Sequence, residues 1–161
     1  MEEQVTLLVG TMTGTADLVA EEVRDTLEGE GVEAKVFAMD RLDLAIVGKP
    51  GLFLICSSTY GQGDVPDNAR DFFALLERVR PDLSKLSYGV IALGDRTYAQ
   101  TYCQGGLRFD ALLTALGAHR IGEVFRHDAS AGTVPEEVAC AWVKGWIGEC
   151  RRFLAERDQA A

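Results

Sequence analysis

Short, nearly all-apolar runs alternate with stretches of helical periodicity along this chain, and that alternation limits its fold more than any other feature. Val5-Thr6-Leu7-Leu8-Val9 reads as a buried strand ending at Gly10. Ala16, Val19, Ala20, Val23 and Leu27 then share one helical face, and the helix closes near Gly29 or Gly31. Val32 to Met39 alternates as a second strand, and Gly51 to Cys56 reads as a third, covered on both faces. A helix from about Asp67 to Arg78 packs through Phe72, Phe73, Leu75 and Leu76, and Pro81 blocks its continuation. Tyr88 to Leu93 is the fourth strand, Gly106 to Leu116 a helix stopped by Gly117, and Arg120 to Arg126 the fifth strand. The last helix runs from about Pro135 to Glu156, with Thr133 as a candidate cap. Strands alternating with helices imply a parallel sheet covered on both sides by right-handed crossovers. No repeat, low-complexity tract or linker divides residues 1–161, so a single domain is expected.

Composition removes several classes of function. The formal charge of −9 opposes nucleic-acid binding. It either steers a basic protein partner or simply keeps the chain in solution. No segment reaches the roughly 18 apolar residues of a membrane span. The start, Met1-Glu2-Glu3-Gln4, lacks the basic flank and apolar run of a signal peptide, so a cytoplasmic location is expected. Cys56, Cys103, Cys140 and Cys150 form no C-x-x-C pair and have no histidines at zinc spacing, so they read as free, mostly packed thiols. Neither His119 nor His127 has an identifiable catalytic partner, and no G-x-S-x-G elbow occurs.

Ligands of open parallel sheets bind beyond the carboxyl ends of the strands, and three loops of unusual composition leave those ends. Thr11-Met12-Thr13-Gly14-Thr15 lies between a strand and a helix. First-turn N–H groups, the helix dipole and the threonine hydroxyls suit an anion, and Gly14 lets the backbone approach it. Helix capping alone is the competing explanation for the threonines. The chain has no G-x-x-x-x-G-K-[ST] and no G-x-G-x-x-G, which argues against P-loop and dinucleotide binding. Asp40, after strand two, then reads as a turn residue. The second loop, Ser57 to Asp64, carries Tyr60, and the third, Gly94 to Tyr98, carries Tyr98. Two tyrosines on neighbouring ligand loops suit a flat aromatic guest. A receiver domain shares this topology, but it needs acids where Thr11-Met12 and Ser57-Ser58 stand.

These residues resemble the flavodoxin-like FMN proteins over essentially the whole chain, in particular short MioC-like flavodoxins and the FMN domains of diflavin reductases. Thr11-Met12-Thr13-Gly14-Thr15-Ala16 resembles the family phosphate loop. Ser58-Thr59-Tyr60-Gly61-Gln62-Gly63-Asp64-Val65-Pro66-Asp67-Asn68 resembles the first ring loop, and Leu93-Gly94-Asp95-Arg96-Thr97-Tyr98 the second, with Cys103 where that loop continues. The resemblance implies a three-layer α/β sandwich with a five-stranded parallel sheet in the order 2-1-3-4-5. It implies FMN held at its phosphate by Thr11, Met12, Thr13, Gly14, Thr15 and Ala16. Ser58, Thr59, Tyr60, Gly61 and Gly63 would lie on one side of the ring, with Gly61 facing flavin N5. Leu93, Gly94, Asp95, Tyr98 and Cys103 would lie on the other, with Tyr98 the main stacking face and Asp128 at the rim or ribityl chain. Ala16 departs from the Thr or Asn often found there. No long-chain insertion follows the fifth strand, so a flavodoxin of the short class without a reductase module of its own is expected.

The implied function is a redox carrier without substrate turnover of its own. It would take single electrons from a basic-surfaced, NADPH-dependent flavodoxin reductase and pass them to an acceptor enzyme the sequence does not name. The rival is a stand-alone FMN-dependent NAD(P)H:quinone or flavin reductase, which needs an open pocket beside N5. Asp64, Asp67, Asp95 and Asp128 are expected to make the rim negative.

Overall fold

The computed structural model describes residues 4–11, 14–49, 51–59 and 63–160. The apolar runs become strands β1 (Gln4–Gly10), β3 (Leu52–Ser57) and β4 (Ser87–Gly94), and the alternating segment becomes β2 (Glu33–Ala38). All their pairings are parallel, in the order β2-β1-β3-β4. Every residue of β3 is buried, as a central strand with both faces covered requires.

The expected fifth strand is two short strands, β5 (His119–Arg120) and β6 (Phe125–Asp128), each parallel to β4. Between them the chain leaves the sheet. Gly122 takes φ +75°, the Arg120 Nε–H donates to the Gly122 carbonyl, and the Trp146 indole N–H donates to the Ile121 carbonyl at 3.0 Å. Backbone and side-chain groups thus replace the ladder where the strand breaks.

Four α-helices cover the sheet: α1 (Thr15–Gly29), α2 (Arg70–Val79), α3 (Gln104–Ala115) and α4 (Pro135–Ala160). α2 starts later than its periodicity predicts, because Asp67–Ala69 forms a separate 3-10 turn. It ends at Arg80, whose φ of +51° closes the helix before Pro81. Thr133 does not serve as the expected cap of α4: its Oγ1 lies 2.9 Å from His127 Nε2. Asp40 lies in the 3-10 turn Met39–Arg41, as expected of a turn residue.

Two apolar layers sandwich the sheet. Val19, Val23 and Leu27 of α1 join Val143, Trp146 and Ile147 of α4 on one face. Phe72 and Leu76 of α2 join Phe109 and Leu113 of α3 on the other. Fully burying side chains of this kind stabilises by about 1.5–3 kcal/mol each before chain entropy is charged against it. At the edge, the Tyr88 hydroxyl donates to Asp110 Oδ1 at 2.7 Å, and Arg120 holds the other carboxylate oxygen at 2.6 Å. No described helix is long and apolar enough to cross a membrane.

Candidate functional site

After β1 the chain turns to one neighbour, β2, and then crosses to the other, β3. The crevice beyond β1 and β3 is therefore the switch point at which such sheets bind ligands. A cavity of about 500 Å³ opens at this end of the sheet, within the usual range for small-molecule sites. It is lined by Thr15, Ser58, Thr59, Leu93, Gly94, Asp95, Tyr98, Thr101 and Ala129. The fold thus gathers residues from the start of α1 and the ends of β3, β4 and β6, although they lie far apart in sequence.

At one end stands the start of α1. Gly14 takes φ +91°, a left-handed conformation that glycine adopts without a Cβ penalty, and its N–H donates to Thr11 Oγ1 at 3.0 Å. The first helical rung is Leu18 N–H to the Gly14 carbonyl, so the N–H groups of Thr15, Ala16 and Asp17 precede the helical ladder. Ala16 contributes only its backbone, since its side chain is buried in the core. Burial, followed by the charges of Glu21 and Asp40, holds the Asp17 carboxyl above its ordinary pKa.

The other end is built by two loops fastened together. The Thr59 hydroxyl donates to the Leu93 carbonyl at 3.0 Å and accepts the Gly105 N–H at 3.0 Å. The backbones close in so tightly that a Cβ on Gly105 would strike the Ser58 carbonyl, and one on Gly94 the Cys103 nitrogen. Asp95 Oδ1 accepts the Thr97 N–H at 2.8 Å, which caps the single turn Arg96–Tyr98. That turn presents Tyr98 to the cavity with 67% of its surface exposed.

Three expected residues act from behind the lining. Gly63 is buried, at φ +97°, against Gln104. The Cys103 thiol is fully buried, 3.4 Å from the Ala92 carbonyl and 3.8 Å from that of His127, so it points into the sheet and supports the loop. Asp128 Oδ1 accepts the Arg96 N–H at 3.0 Å and both the N–H and hydroxyl of Ser130. Those hydrogen bonds, the Arg96 N–H first, hold its carboxyl below the ordinary pKa. Asp128 thereby ties β6 to the Tyr98 turn, while its neighbour Ala129 reaches the cavity. Met12, Thr13, Tyr60 and Gly61 lie outside the described residues.

Thr101 and Ala129 line the cavity without having been expected. Thr101 is set by the same turn, donating its N–H to the Tyr98 carbonyl at 3.0 Å. Its sequence signal is its position three residues after the ring-loop tyrosine.

The sequence model of the flavodoxin family matches residues 7–142. The chain belongs to the flavodoxin family. Flavodoxin YqcA of Pectobacterium carotovorum subsp. carotovorum is 41% identical over 143 residues, spanning 89% of this chain and 94% of that protein. The protein MioC of Escherichia coli (strain K12) is 33% identical over 143 residues, 89% of this chain and 95% of its own. The sulfite reductase [NADPH] flavoprotein alpha-component of Vibrio parahaemolyticus matches 98% of this chain at 33% identity, but over only 25% of its own length. Among solved structures, a cysteine-to-alanine mutant of flavodoxin from Pseudomonas aeruginosa superposes with a TM-score of 0.82 at 32% identity, covering 91% of this chain and 97% of that one.

Flavodoxins are standard examples of ligand binding at the β1/β3 switch point, and their cofactor is FMN and their chemistry electron transfer. The flavodoxin site here fits that cofactor. One end offers helix N–H groups ahead of the ladder for a phosphate, and the other offers an exposed tyrosine beside a cavity backed by Leu93.

Proposed function

We propose that this chain carries single electrons from a basic-surfaced, NADPH-dependent reductase to an acceptor enzyme in the cytoplasm. When bound, FMN supplies the one-electron chemistry, and the protein supplies binding, orientation and electrostatics. The observation that carries the reading is the cavity at the switch point, which joins the start of α1 to the two tethered loops and leaves Tyr98 open at its rim.

In this reading the phosphate is taken by the backbone of Thr15 and Ala16 with Thr11, Met12 and Thr13, and Gly14, whose N–H is given to Thr11, shapes the turn around it. Ser58, Thr59, Tyr60, Gly61 and Gly63 form one side of the ring site. Leu93, Gly94, Asp95 and Tyr98 form the other, with Cys103 and Asp128 holding that side in place. The phosphate needs no basic side chain, because the helix dipole and N–H groups already favour an anion. An open rim suits a carrier, since a partner's redox centre must come close to the ring. The NADPH-linked sulfite reductase component among the relatives supports a donor of that class.

Stopped-flow reduction tests the proposal. NADPH alone should leave the flavin-loaded protein oxidised over seconds, whereas NADPH with a catalytic amount of flavodoxin reductase should reduce it. Rapid reduction by NADPH alone would instead favour a stand-alone reductase.

A further inference from the structure

Successive residues of a strand turn their backbone groups to opposite neighbours. The Gly10 carbonyl accepts the Ser58 N–H at 2.9 Å, on the β3 side. Val9 and Thr11 therefore face the other side, where β2 lies. β2 ends at Ala38, opposite Val9, and the chain turns away through Met39–Arg41. No residue of β2 stands level with Thr11.

The side chain of Asn68 fills that position. Its Oδ1 accepts the Thr11 N–H at 2.7 Å, and its Nδ2 donates to the Val9 carbonyl at 3.3 Å. One donor and one acceptor, given to the residues on either side of Gly10, reproduce the pattern a parallel strand makes. The two partners also fix which end of the amide is oxygen, since an N–H requires an acceptor and a carbonyl a donor. Gly10 shows how closely this turn is seated. A Cβ there would lie 3.2 Å from the Ala69 Cβ and 3.1 Å from Ser57 Oγ.

We propose that Asn68 is the positioning residue of the phosphate end and that it sets the preference for FMN over riboflavin. The inference rests on the FMN reading above. Asn68 fixes Thr11, whose Oγ1 in turn accepts the Gly14 N–H at 3.0 Å, and Gly14 opens α1. The ring end has a separate tether through Thr59. Loss of the Asn68 amide therefore loosens the phosphate end and leaves the ring end fastened.

The test is flavin fluorescence quenching on apoprotein with FMN and with riboflavin, alongside thermal melting of the apoprotein. Asn68→Ala should weaken FMN by about tenfold or more and riboflavin by less than about threefold. Asn68→Leu is close in volume and removes both hydrogen bonds without adding a charge at the phosphate end, so it carries the test if the alanine variant does not fold. It should also lower the FMN-to-riboflavin preference. Equal weakening of both flavins, or no weakening of either, in the folded variant would overturn the role of Asn68. A parent protein that binds riboflavin as well as FMN would overturn it too. A parent that binds neither would overturn the FMN reading itself.

Discussion

Thr59 Oγ1 lies 3.0 Å from the Leu93 carbonyl oxygen, so a hydroxyl at the end of β3 is fastened to the end of β4. The same oxygen accepts the Gly105 N–H, which adds the first turn of α3 to the joint. Thr59→Val keeps the shape but strands one carbonyl and one N–H, at a cost of about 1–3 kcal/mol for an unsatisfied buried group. FMN affinity should fall roughly fivefold to a hundredfold on that scale. Thr59→Ser, which keeps the hydroxyl, should stay near the parent. Titration of apoprotein with FMN checks both, and equal behaviour of the two variants would remove the joint from the account.

Tyr98 is the described aromatic side chain on the cavity lining. Tyr98→Ala should weaken FMN by about 0.5–1.5 kcal/mol beyond the lost contact area, and Tyr98→Phe should restore most of it. The loss should exceed that in Tyr60→Ala, because Tyr98 is expected to be the main stacking face. Near-parental FMN binding by Tyr98→Ala would take Tyr98 out of the stacking role.

The acidic rim is less uniform than its sequence suggests. Asp64 has Arg108 at 3.6 Å and Asp67 has Arg70 at 3.4 Å, whereas Asp95 lines the cavity. A nearby negative charge opposes addition of an electron to the flavin, and exposed pairs are screened over about 8 Å at physiological ionic strength. Asp95→Asn should therefore raise the potential for the second electron more than Asp64→Asn or Asp67→Asn. Redox titration of the three variants decides, and equal shifts would refute the ranking.

Burial, with a smaller contribution from Asp17, pushes the Cys56 thiol up to about 12. Only about one molecule in ten thousand then carries the reactive thiolate at pH 8. Cys103 and Cys150 are fully buried, and Cys140 is half-buried. Ellman's reagent on the native protein should titrate Cys140 first and leave the others until denaturant is added. Fast release from a Cys140→Ser variant would contradict this packing.

The strands and the end of the sheet that carries the candidate site were legible because a buried parallel strand must be apolar and a ligand loop must depart from that pattern, whereas the order of the strands followed from the flavodoxin resemblance. The break between β5 and β6 was not legible. Arg120 to Arg126 has the composition of one strand, and the groups that replace the ladder, the Trp146 indole reaching Ile121 from α4 and the Arg120 guanidinium reaching Gly122, are visible in the fold and not in that composition. The same limit applies within the site. Threonine at position 59 suits a ring loop, but that its hydroxyl serves two backbone groups depends on partners 34 and 46 residues away. Asn68 and Thr11 are 57 residues apart, and the chain shows no local sign of their bond. Cys103 was expected beside the ring because of where it falls in the motif. Its left-handed backbone, φ +58°, instead accompanies a thiol turned into the sheet.

One FMN at the switch point, between the start of α1 and the loops joined by Thr59, is what this fold is built to hold. Heat release of the cofactor from protein purified without added flavin, followed by chromatography, decides whether it does. FMN should appear at one molecule per chain. Stoichiometric FAD, or apoprotein that fails to take up FMN, would refute this assignment.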